Sequence, residues 1–81
     1  MELNETIEMM KSSDYKERFI AEYNQVLIRY DKLGEMTVKY KEGTLNFTPK
    51  CPLDLLNKQK EYMKGYIECL ENRAKIEGIE L

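Results

Sequence analysis

The chain has no histidine and no tryptophan, and only two cysteines, two prolines and four glycines among its 81 residues. Each scarcity excludes some chemistry. Without histidine the commonest general base is missing, and neither Cys51 nor Cys69 has the histidine neighbour that activates a nucleophilic thiol. Lying 18 residues apart, the cysteines match no zinc-ligand spacing and form no disulfide framework. No pair of glycines is placed to cradle a phosphate in a loop. The expectation is a non-enzyme with no metal and no cofactor, whose thiols stay reduced.

Long hydrophobic runs are also lacking. The longest, Val26-Leu27-Ile28, falls far short of the roughly 20 residues a spanning helix needs, and Met1-Glu2-Leu3-Asn4-Glu5 carries neither a basic nor an apolar leader region. A cytoplasmic protein without membrane contact is expected. A net charge of -2 argues against general nucleic-acid binding, which usually needs a basic excess. Lys39, Lys41, Lys50, Lys58 and Lys60 nevertheless concentrate positive charge in the middle of the chain, where a solvated face explains them as simply as a binding patch.

What is present is helical periodicity. Leu3, Ile7 and Met10 share a face, predicting a short helix over 4–11 with Asn4 as its cap. Asp14 followed by Glu17 reads as a variant capping box opening a second helix over 14–42, in which Phe19, Val26, Leu33 and Tyr40 recur every seven residues. Gly34 weakens that helix by about 1 kcal/mol without ending it. Gly43 ends it, and 43–51 form a loop whose Leu45 and Phe47 should tuck back onto the helices. Pro52 in the first helical position opens a third helix over 52–77, with Gly78-Ile79 as a Schellman-type stop. The fold class is all-α: a short N-terminal helix followed by a long antiparallel hairpin, in one domain.

One hairpin buries one seam, and each helix has more to hide. Besides Leu56, Met63 and Leu70, the third helix offers a second row of Leu55, Tyr62, Cys69 and Ile76. Such a surplus exceeds what monomers usually expose, so a homo-oligomer or a protein partner is expected.

Polar residues interrupt the stripes at regular intervals. Arg18, Glu22, Gln25 and Arg29 share one edge of the second helix, and Gln59, Tyr66 and Arg73 form a row on the third. Structurally, Arg18 and Glu22 would pair on the helix surface while the rest set register. Functionally, Arg18, Arg29 and Arg73 would hold the phosphates of an anionic ligand, since the guanidinium fork suits them. Tyr15, Tyr23 or Tyr66 would stack on a base, with Gln25 or Gln59 reading its edge.

The string Asp14-Tyr15-Lys16-Glu17-Arg18-Phe19, with Glu22-Tyr23, Gln25, Arg29 and Leu33, then Phe47, Cys51-Pro52, Leu55-Leu56, Gln59, Met63, Tyr66, Leu70 and Arg73, resembles a family of short phage and prophage proteins. That family takes its name from an open reading frame of a crAss-like gut bacteriophage, and the resemblance covers nearly the whole chain. In architecture the chain is also similar to the anti-CBASS and anti-Thoeris sponges, small helical hairpins that assemble with pockets between subunits. Their His-Arg-Lys and Gly-Tyr-Arg signature is absent, so no ligand residue carries over. The phage family implies no settled activity; the architectural likeness to the sponges gives the expectation of phage counter-defence in the bacterial cytoplasm, by sequestering a cyclic nucleotide immune signal without turnover. The alternatives are a protein-binding inhibitor of a host defence effector and a purely structural oligomer.

Overall fold

Asp14 starts the long arm of the hairpin. In the computed structural model, which describes all of residues 1–81, its carboxylate accepts from the Lys16 amide at 3.0 Å and so satisfies one orphan donor of helix α2, Tyr15–Glu42. The capping box expected with Glu17 is not made. The Asp14 amide donates instead to Ser12 Oγ at 3.0 Å, because the preceding Ser-Ser turn already lies beside it. Helix α2 runs unbroken through Gly34, and the end of the Lys60 side chain lies 3.8 Å from where a Gly34 Cβ would stand. The Thr37 hydroxyl, buried one turn later, donates to the Gly34 carbonyl at 2.9 Å. Gly43, at φ 74°, then takes the left-handed conformation that closes the helix at low cost.

Helix α3, Leu53–Glu77, returns antiparallel. Pro52 sits one position earlier than expected, as the extended N-cap, with its carbonyl accepting from Leu55 and Leu56. Gly78, at φ 72°, makes the expected stop: the Ile79 amide bonds the Ala74 carbonyl at 2.9 Å and Ile79 is buried against the hairpin. In the loop, Leu45 tucks in while Phe47 remains 55% exposed, so only half of that expectation holds.

The N-terminal segment departs most from its periodicity. Leu3–Thr6 form a 3-10 turn and only Ile7–Met10, α1, is α-helical. The tighter turn puts Leu3 and Thr6 on one face, so Thr6 is fully buried while Ile7 and Met10 stay exposed. Glu2, not Asn4, is the N-cap, its amide donating to the Glu5 carboxylate at 3.2 Å. The segment packs on α2 alone, where Ala21 is completely buried.

The core is one seam. Phe19 and Val26 of α2 meet Ile67, Leu70 and Ala74 of α3, closed by Ile79 and rimmed by Ile20, Tyr23, Leu27, Tyr30 and Met63. Only 10 of 81 residues are buried, and the radius of gyration is 15.0 Å against about 12 Å for a compact chain of this length.

Candidate functional site

Along one edge of the hairpin the two polar rows face each other. Glu22 of α2 accepts a hydrogen bond from the Tyr66 hydroxyl of α3. Toward the open end, the Tyr15 hydroxyl donates to Glu77 Oε1 at 2.8 Å and accepts from Arg73 at 2.9 Å. Arg73 also pairs with Glu77 at 3.4 Å, and its guanidinium lies 4.9 Å above the Phe19 ring. This end of the row is thus internally satisfied.

Toward the other end the groove opens. Leu3 of the N-terminal turn, Leu33 and Met36 of α2, and Met63 of α3 line an open surface hollow of about 360 Å³ together with Arg29, Lys32 and Gln59. Its volume lies at the lower end of the roughly 300–1,000 Å³ of small-molecule sites, and the hollows beside Phe47 and beside Tyr23 are of similar size. Lys32 has Glu2 at 3.6 Å, whereas Arg29 takes part in no ion pair. An anion would therefore meet an uncommitted guanidinium there.

Two other members of the α2 row hold the N-terminal segment in place. Arg18 does not pair with Glu22: its guanidinium donates to the Ser12 carbonyl at 2.9 Å. The Gln25 amide donates to Thr6 Oγ1 at 3.2 Å and to Met10 Sδ, and the Thr6 hydroxyl in turn donates to the Leu3 carbonyl at 2.7 Å. Gln25 thereby supports Leu3 in the wall of the groove, and both side chains are less free for a ligand than their spacing implied. Tyr23 lies elsewhere, on the opposite edge, donating to Glu71 at 2.8 Å beside Lys75, Ile79 and Leu81. It cannot join Tyr15 and Tyr66 about one ligand, because α2 turns it to the other flank of the seam.

Sequence reasoning missed Glu77 and Phe19, which commit Arg73, and Leu3, which walls the groove at Arg29. The spacing of four from Arg73 to Glu77 was a readable signal; the docking of Leu3, set by a 3-10 turn, was not. Of the central lysines, Lys60 and Lys64 flank Tyr30 in a shallow hollow, and Lys58 lies 6.0 Å from the Tyr62 ring.

The buried side of these contacts shifts two phenols. The Glu22 hydrogen bond, with desolvation and the carboxylate charge, pushes Tyr66 up to about 12, although nearby Arg73 opposes the shift. Tyr23 is raised mainly by its bond to Glu71. Both folded-state values lie above the ordinary 10.0, so the unfolded chain releases these protons first. Stability from the two contacts should be intact below pH 10.0 and decline as pH rises toward about 12. Thermal unfolding followed by circular dichroism across that range checks this, and a Tyr23→Phe, Tyr66→Phe variant should show a shallower decline.

A family model described as Sequestin matches residues 13–76. No curated protein and no solved structure matches the chain.

Proposed function

The chain belongs to the Sequestin family, and from that premise we propose that it holds a small anionic ligand in stoichiometric amount and releases it unchanged. The observation that carries this reading is the unpaired Arg29 in a groove with apolar walls. The family name itself points to sequestration, and a sponge needs affinity without reactive groups.

The ligand class we propose is a nucleotide signal of bacterial immunity, cyclic or derived from ADP-ribose, with phage counter-defence in the host cytoplasm as the proposed setting. Arg29 would take a phosphate with Lys32 as its neighbour, and Gln59 would read a base edge. Arg18 lies 11 residues before Arg29, about 16 Å along the helix, so the two could not grip the same phosphate. Its guanidinium is already engaged by the Ser12 carbonyl.

Calorimetric titration with cyclic di- and trinucleotides and ADP-ribose derivatives tests the proposal. Saturable binding is expected, and after heat denaturation the ligand should be recovered intact. Ligand at 100 times its dissociation constant should add about 2.7 kcal/mol to stability. Binding of none of these compounds, or recovery of a cleaved product, would sink the reading.

A further inference from the structure

The hollow at Arg29 continues toward the loop. Lys32 and Met36, which line it, also line a second hollow of about 390 Å³ that reaches past Lys39 to Asn46 and Phe47. Arg29, Lys32, Met36 and Lys39 follow one another at steps of three, four and three, so one face of α2 floors both hollows. From Arg29 to Lys39 that floor covers ten residues, about 15 Å along the helix axis.

The second hollow supplies what the first lacks. No aromatic residue lines the hollow at Arg29, whereas Phe47 lines its neighbour and is 55% exposed. The loop that carries Phe47 is tied to the end of α2: the Lys39 carbonyl accepts from the Thr44 amide at 2.9 Å and from the Thr44 hydroxyl at 3.4 Å, and Leu45 is half-buried beside them. An exposed ring on an anchored loop is a platform on which a base can stack. The floor between the two ends is cationic. Arg29 and Lys39 take part in no ion pair, Lys32 has Glu2, and Glu35 is the one carboxylate among the residues lining either hollow.

We propose that the two hollows form one elongated site with Phe47 as its stacking platform. Its ligand class is an extended nucleotide with a ring system on each side of its phosphates. One ring lies on Phe47, the phosphates run along Lys39, Lys32 and Arg29, and the second ring meets Gln59. A compact ligand fills one half of such a site and leaves the other empty. This proposal deepens the ligand reading above and rests on it.

ADP-ribose, whose pyrophosphate separates two ring systems, is the probe. Calorimetric titration should show one binding event, weakened about 10-fold by Phe47→Ala and equally by Phe47→Leu, which keeps apolar bulk but loses the ring face. Both variants should keep the parent's thermal midpoint, because Phe47 is exposed. Phe47→Trp should retain affinity, and its indole, alone in a chain without tryptophan, should be quenched over the concentrations at which calorimetry sees binding. Full affinity in Phe47→Leu, or an unquenched indole at saturation, overturns the stacking platform; if Arg29→Ala still weakens binding, the ligand reading stands. Two separable events, one lost in each of Arg29→Ala and Phe47→Ala, overturn the single site. Binding that depends on Phe47 but not on Arg29 overturns both the elongated site and the reading centred on Arg29. No binding of ADP-ribose overturns the elongated site, and the ligand reading falls with it only if the cyclic nucleotides also fail to bind.

Discussion

Replacing Arg29 with alanine should weaken ligand binding about 10- to 100-fold while leaving helix content and thermal midpoint unchanged. The size follows from losing a charge-assisted hydrogen bond, worth about 1.5–3 kcal/mol, at about 1.4 kcal/mol per tenfold in affinity. The absence of a structural effect follows from geometry: Arg29 is exposed and in no ion pair, so nothing in the fold depends on its charge. Arg29→Lys should recover only part of the affinity, since an ammonium keeps the charge and loses the planar fork. Titration calorimetry on the variant, with its circular dichroism alongside, is the check. Unchanged affinity would remove Arg29 from the site; loss of binding together with loss of fold would make its role structural.

The second large effect lies in the seam. Leu70→Ala should destabilise the chain by about 3–5 kcal/mol, because Leu70 is 1% exposed, among the most buried large side chains, and has little chance of being replaced by collapse of its neighbours. Folded domains are commonly stable by only about 5–15 kcal/mol, and this one has ten buried residues, so the variant should be largely unfolded near physiological temperature. Urea denaturation with the slope unchanged and the midpoint sharply lowered is the expected signature. A midpoint within experimental scatter of the parent would mean that the seam around Leu70 is not the source of stability.

The arms of the hairpin were readable because long helices repeat their pattern many times. Four heptads of Phe19, Val26, Leu33 and Tyr40, a capping aspartate and two punctuating glycines agree with one another, so an error at any single position changes little. The loop and the N-terminal segment had no such redundancy. Three apolar residues at helical spacing predicted an α-helix over 4–11, but a segment of two turns follows its docking surface rather than its own periodicity. Thr6, not Ile7, is buried there because a polar partner, Gln25, was waiting on α2.

The candidate site divides in the same way. That Arg18, Glu22, Gln25 and Arg29 share an edge is a property of helical geometry and needed no structure. Which of them is free does not follow from spacing, since it depends on groups outside the helix: Ser12 for Arg18, Tyr66 for Glu22, Thr6 for Gln25 and none for Arg29. Tyr23 shows the limit most clearly. It is only one residue from Glu22, yet its hydroxyl reaches Glu71 on the opposite flank, because 100° of helical rotation at the seam decides which edge a side chain serves.

By itself, then, the sequence determined an all-helical chain with a long hairpin and a surplus apolar row on α3. Local periodicity, capping and composition suffice for each. Only the tertiary structure decided that the two polar rows meet, that Leu3 walls one end of the groove and that Arg29 stands unpaired within it. Pairings between residues 19 to 62 positions apart are set by how helices dock, and docking is a property of surfaces that no local pattern encodes.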